Sequence, residues 1–86
     1  MDIERAKELA AMDRPYRRDA IEVWQAMEII SRASLPKKVQ VYAEHDIVYY
    51  GTWEESIPNM SEENFIKLLE AGWHLDENET GWCKYT

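Results

Sequence analysis

The spacing of apolar residues changes at Ser34-Leu35-Pro36, and that change restricts the fold more than any other feature of the chain. Up to Ala33 the apolar side chains recur at helical intervals, whereas Val39, Val41 and Ala43 alternate with Gln40, Tyr42 and Glu44. A helical period buries one stripe of a cylinder and a period of two buries one face of a sheet. The chain therefore has to pack helices against strands.

Ile3, Ala6, Leu9 and Ala10 predict an amphipathic helix over residues 2–12. Asp13-Arg14-Pro15 interrupts it, with Asp13 suited to an N-cap and Pro15 to the first turn of a second helix running from Tyr16 to about Ala33. That helix shows an apolar stripe of Ala20, Val23, Trp24, Met27 and Ile30, widened by Ile21, Ala26 and Ile29, so Trp24 is expected in the core. Ile47-Val48-Tyr49-Tyr50 follows Glu44-His45-Asp46 and predicts a hairpin of strands 38–44 and 47–53, with Gly51 marking a bulge or the strand's end. Residues 54–60, which contain Pro58, read as a loop. Ser61 is placed as the N-cap of a third helix, with Glu62 and Glu63 in its first turn, Phe65, Ile66, Leu68 and Leu69 on its apolar face and Gly72 as a left-handed C-cap. Trp73-His74-Leu75-Asp76 and Gly81-Trp82-Cys83-Lys84-Tyr85 predict a second hairpin, with Trp73 a core anchor and Trp73 and Trp82 facing each other across the strands. The order α-α-β-β-α-β-β describes an α+β domain spanning residues 1–86, a small antiparallel sheet packed against helices.

A chain of 86 residues supports one modest core, and 45% hydrophobic content with four Trp, five Tyr and one Phe supplies it. The one cysteine, Cys83, excludes an intramolecular disulfide framework and fits a reducing compartment. The opening Met1-Asp2-Ile3-Glu4 lacks the order of a signal peptide, and no apolar run is long enough to cross a bilayer; a cytoplasmic protein is expected. Asn59-Met60-Ser61 and Asn78-Glu79-Thr80 match the glycosylation sequon only by chance on that reading.

Charge is unevenly divided. Residues 1–43 carry a net of +1 and residues 44–86 a net of −8, making up the formal net charge of −7. Carboxylates interleaved with aromatics can imitate a phosphate backbone to a basic groove. The candidate partner-binding residues are accordingly Glu44, Asp46, Tyr49, Glu54 and Glu55 on and after the first hairpin, and Asp76, Glu77, Glu79 and Trp82 on the second. The expected partner is the basic surface of a nucleic-acid-binding protein, since a charge of −7 repels nucleic acid itself. Asp13-Arg14-Pro15-Tyr16-Arg17-Arg18 and Lys37-Lys38 form a basic counterpart that would suit a surface patch or pairing between copies. His45, His74 and Cys83 are metal-ligand types at spacings that fit no compact zinc motif, so neither a metal nor another cofactor is expected. Cys83 and His74 would face each other across a hairpin as nucleophile and base, but nothing supplies an orienting group or oxyanion cradle, and no catalytic residue is assigned.

In size, acidity and composition, and in the stretch Ser61-Glu62-Glu63-Asn64-Phe65-Ile66-Lys67-Leu68-Leu69-Glu70-Ala71-Gly72-Trp73 leading into an acidic Trp-containing hairpin, the chain resembles small phage-encoded inhibitors of the anti-CRISPR and anti-restriction type. The resemblance implies a non-enzymatic protein that occupies a basic DNA- or RNA-handling surface of a host defence complex in the host cytoplasm. It assigns a role to no individual residue. The alternative is a small self-associating regulatory or structural protein whose acidity serves solubility.

Overall fold

The computed structural model describes residues 1–12, 19–75 and 81–85. Helix α1 (Ile3–Ala10) starts at Asp2, whose Oδ1 accepts the Glu4 N–H at 2.9 Å, and buries Ala6 and Leu9. Helix α2 (Val23–Ser34) follows, then strands β1 (Val41–Glu44) and β2 (Ile47–Thr52). Helix α3 (Trp53–Ser56) and a 3-10 turn (Ile57–Asn59) lead to α4 (Glu62–Glu70), and strands β3 (His74–Leu75) and β4 (Gly81–Tyr85) close the chain. The strands form one antiparallel sheet in the order β1-β2-β4-β3. The fold is α+β, with helices on one side of an antiparallel sheet, as the alternating periods require.

Two caps and a turn hold element boundaries. The Ser61 hydroxyl accepts the Asn64 N–H at 3.1 Å, as expected of an N-cap. At the other end of α4 the Gly72 and Trp73 N–H groups donate to Leu69 and Leu68, with Gly72 at φ 91°, a Schellman closure that a residue with a Cβ disfavours. The first hairpin turns through His45 and Asp46, both at positive φ (49° and 65°), the type I′ geometry that matches strand twist.

Gly51, at φ 73°, lies in a bulge where two β2 residues oppose Trp82 between the Tyr49↔Cys83 and Thr52↔Gly81 pairs. A Cβ there would lie 2.8 Å from Ile30 Cγ2, so glycine is needed both for its backbone conformation and for the approach of α2.

The core is centred on three rings. Trp53 lies edge-on to Phe65 (centroids 5.7 Å, 83°), and Trp82 touches both at 5.3 Å. Ser56, fully buried, joins this cluster to the backbone: its hydroxyl donates to the Thr52 carbonyl at 2.6 Å and accepts the Trp82 indole N–H at 3.0 Å.

Four expectations are corrected. Helix α2 begins at Val23, and residues 19–22 are not helical, while Asp13, Pro15 and the span from Tyr16 to Arg18 lie outside the described residues. Its buried face is Ala26, Ile30 and Ala33; Trp24 stands about 150° around the helix from the centre of that arc and is 63% exposed. Residues 54–59 are helical rather than a loop, and only Met60 is extended, because Trp53, Ile57 and Met60 fall at helical spacing and all three are buried. Trp73 is buried as expected, but Leu75, not Trp73, opposes Trp82 in the sheet.

Candidate functional site

Alternation along the strands separates two faces. Val48 and Tyr50 turn toward the helices, where the Tyr50 phenol and the Ser31 hydroxyl of α2 lie 2.6 Å apart. Tyr49, one residue away, is therefore on the opposite face, and the register extends its row across the whole sheet: Tyr42 opposes Tyr49, Tyr49 opposes Cys83, and Cys83 opposes His74. The adjacent row on that face runs from Glu44 through Ile47 to Tyr85.

The rings on this outer face pair. Tyr42 and Tyr49 have centroids 5.9 Å apart, and His74 stacks on Tyr85 at 5.1 Å with planes 21° apart. Tyr42 and Tyr85 are 58% and 62% exposed, so both pairs present a ring to solvent. Between the pairs Cys83 is only 4% exposed, a small side chain flanked in its row by Tyr49 and His74.

Glu44 borders the face. Its carboxylate accepts the Tyr42 phenol at 2.8 Å and lies 3.4 Å from His45 Nε2. The hydrogen bond to that carboxylate, reinforced by its negative charge, raises the Tyr42 phenol above the ordinary tyrosine value. Exposed Asp46 adds a second acid at the tip of the hairpin.

No family model, curated protein or solved structure matches this chain.

The structure gathers some of the sequence-selected residues and disperses others. Glu44, Asp46 and Tyr49 share the β1–β2 hairpin. Glu54 and Glu55 lie in the first turn of α3, capped by Thr52, and Glu55 joins Tyr49, Lys38 and Gln40 around an open groove of about 270 Å³ beside the bulge. Asp76, Glu77 and Glu79 lie outside the described residues. Trp82 has no exposed surface and hydrogen-bonds Ser56, so it supports the core and offers nothing to a partner. Sequence reasoning missed Tyr42, His74 and Tyr85. Their signal was the parity they share with Tyr49 within their strands and across the register, which becomes readable only once strand pairing is known.

Among the described residues no three His, Cys, Asp or Glu side chains converge as a metal would require. No helix of the described residues is long and apolar enough to cross a membrane.

Proposed function

We propose that the protein is a non-enzymatic binding protein that sets its acidic, aromatic sheet face against a basic site of a nucleic-acid-handling protein or complex. The observation that carries this reading is the outer face of the β1–β2 hairpin, where exposed Tyr42 pairs with half-buried Tyr49, the Glu44 carboxylate accepts the Tyr42 phenol and exposed Asp46 lies in the adjoining turn. Rings next to fixed negative charge reproduce what a basic groove recognises in nucleic acid, stacking surface beside an anionic edge. The net charge of −7 steers the chain toward such a groove and away from nucleic acid itself. Inhibition of a phage-targeted defence complex is the setting in which this chemistry would act.

The test is capture of the partner on immobilised protein, followed by elution with salt and competition with DNA or RNA. Partner release by both, and at least tenfold weaker capture by Tyr49→Ala combined with Glu44→Lys, are expected. Glu4→Lys and Glu8→Lys on α1 serve as the charge control. A partner that ignores nucleic-acid competition and binds the double variant as well as the parent would overturn the reading.

A further inference from the structure

Among the described residues, strand β1 pairs with β2 alone. It is the edge of the sheet, all four of its residues are exposed, and Val41 and Tyr42 are 61% and 58% exposed although both are strand-forming, largely apolar residues. A strand that buries so little on either face gains little from its own monomer. Its outer edge is also ready to pair. In a two-residue hairpin the residues flanking the turn exchange backbone hydrogen bonds, so Glu44 and Tyr42 direct their backbone groups toward β2, and Gln40 continues the pattern by accepting the Gly51 N–H at 3.4 Å. The N–H and C=O groups of Val41 and Ala43 consequently point away from the sheet.

We infer that this edge pairs with β1 of a second copy, antiparallel about a two-fold axis, to make a continuous eight-stranded sheet. The argument for a second copy is the charge along the edge. Lys37 and Lys38 precede β1, while Glu44 ends it and Asp46 follows. An antiparallel partner with the same sequence therefore brings lysine onto acid at both ends, the self-complementarity an isologous interface needs. One register satisfies every element. Val41 exchanges both hydrogen bonds with the second copy's Ala43, Tyr42 meets its own counterpart at the axis, and Lys38 faces Asp46 with Glu44 within reach of its long side chain. Tyr42 and Glu44 lie on the outer face, so the dimer doubles the aromatic surface described above into one surface. The inference stands on the edge geometry and does not depend on the proposed partner.

Sedimentation equilibrium across micromolar to millimolar concentration tests it. The parent is expected at twice the chain mass of 10.2 kDa. Ala43→Pro deletes an N–H that points away from β2 and should weaken association at least tenfold. Lys38→Glu and Glu44→Lys should each do the same, and mixing those two variants should restore a heterodimer, which pairing with an unrelated peptide would not. Amide exchange gives a readout independent of the proline variant's folding: the Val41 and Ala43 amides should slow with protein concentration. A parent that stays monomeric, a dimer indifferent to Ala43→Pro, or charge variants that associate no better together than apart would overturn the inference.

Discussion

The four tryptophans occupy three different environments. Trp82 is buried with its N–H donated to Ser56, and Trp24 is 63% exposed on the first turn of α2. Trp53 and Trp73 are 3% and 1% exposed, yet among the described residues their N–H groups meet no acceptor. Each of those two rings must recover through packing what its unpaired donor costs, about 1–3 kcal/mol. Trp73→Ala should therefore destabilise the fold by about 3–5 kcal/mol through the cavity it leaves, whereas Trp24→Ala should change stability by only about 0.5 kcal/mol. Denaturant unfolding followed by circular dichroism measures both. Equal losses for the two variants would mean that the buried face of α2 has been assigned to the wrong side of the helix.

At the scale of elements, the β1–β2 hairpin is held by its turn, by the Gly51 N–H donated to the Gln40 carbonyl and by side-chain pairs on its outer face. The Tyr42–Glu44 hydrogen bond belongs to the last group, and its pH dependence is readable. Tyr42 keeps its proton longer in the folded hairpin than in the unfolded chain, so whatever the bond contributes is fully present below about pH 10, the free phenol value, and is lost as pH rises through the raised value. Ultraviolet titration, resolved against a Tyr42→Phe control, should place this phenol above an ordinary tyrosine. Glu44→Gln removes the charge and should return it toward the ordinary value; an unmoved titration would show that the carboxylate does not hold the phenol.

Over the whole molecule, charge works against compactness. The ion pairs Arg5–Glu62 and Arg32–Glu28 join side chains at least 45% exposed, a setting in which such pairs contribute about 0–1 kcal/mol. Against them stands the self-repulsion of a net −7, spread over a chain with a radius of gyration of 11.7 Å, which exceeds the Debye length of about 8 Å at physiological salt but lies well within the value of about 30 Å at 0.01 M. Repulsion acting over that range is screened by added salt, while the core of Trp53, Phe65 and Trp82 is not weakened. The thermal midpoint should therefore rise between low and physiological ionic strength, at a protein concentration low enough to keep the chain monomeric. A fall would show that attractive surface pairs outweigh the net charge.

Local chemistry was enough to place Ser61, Gly72 and the His45-Asp46 turn, because a cap or a type I′ turn is satisfied within a few residues of its own sequence. The α+β class and the order of its main elements followed from apolar period, which is likewise local. The same reasoning misplaced Trp24 and read residues 54–60 as a loop, since Pro58 and the Glu54-Glu55 pair masked the helical spacing of Trp53, Ile57 and Met60. It also chose Trp82 for the surface and overlooked Tyr42, His74 and Tyr85. Which side of a helix is buried, and which aromatics of a strand meet solvent, depend on where the rest of the chain comes to pack. A one-residue bulge at Gly51 and the antiparallel register of β2 with β4 decided which rings share the outer face, and those relations exist only between segments far apart in sequence.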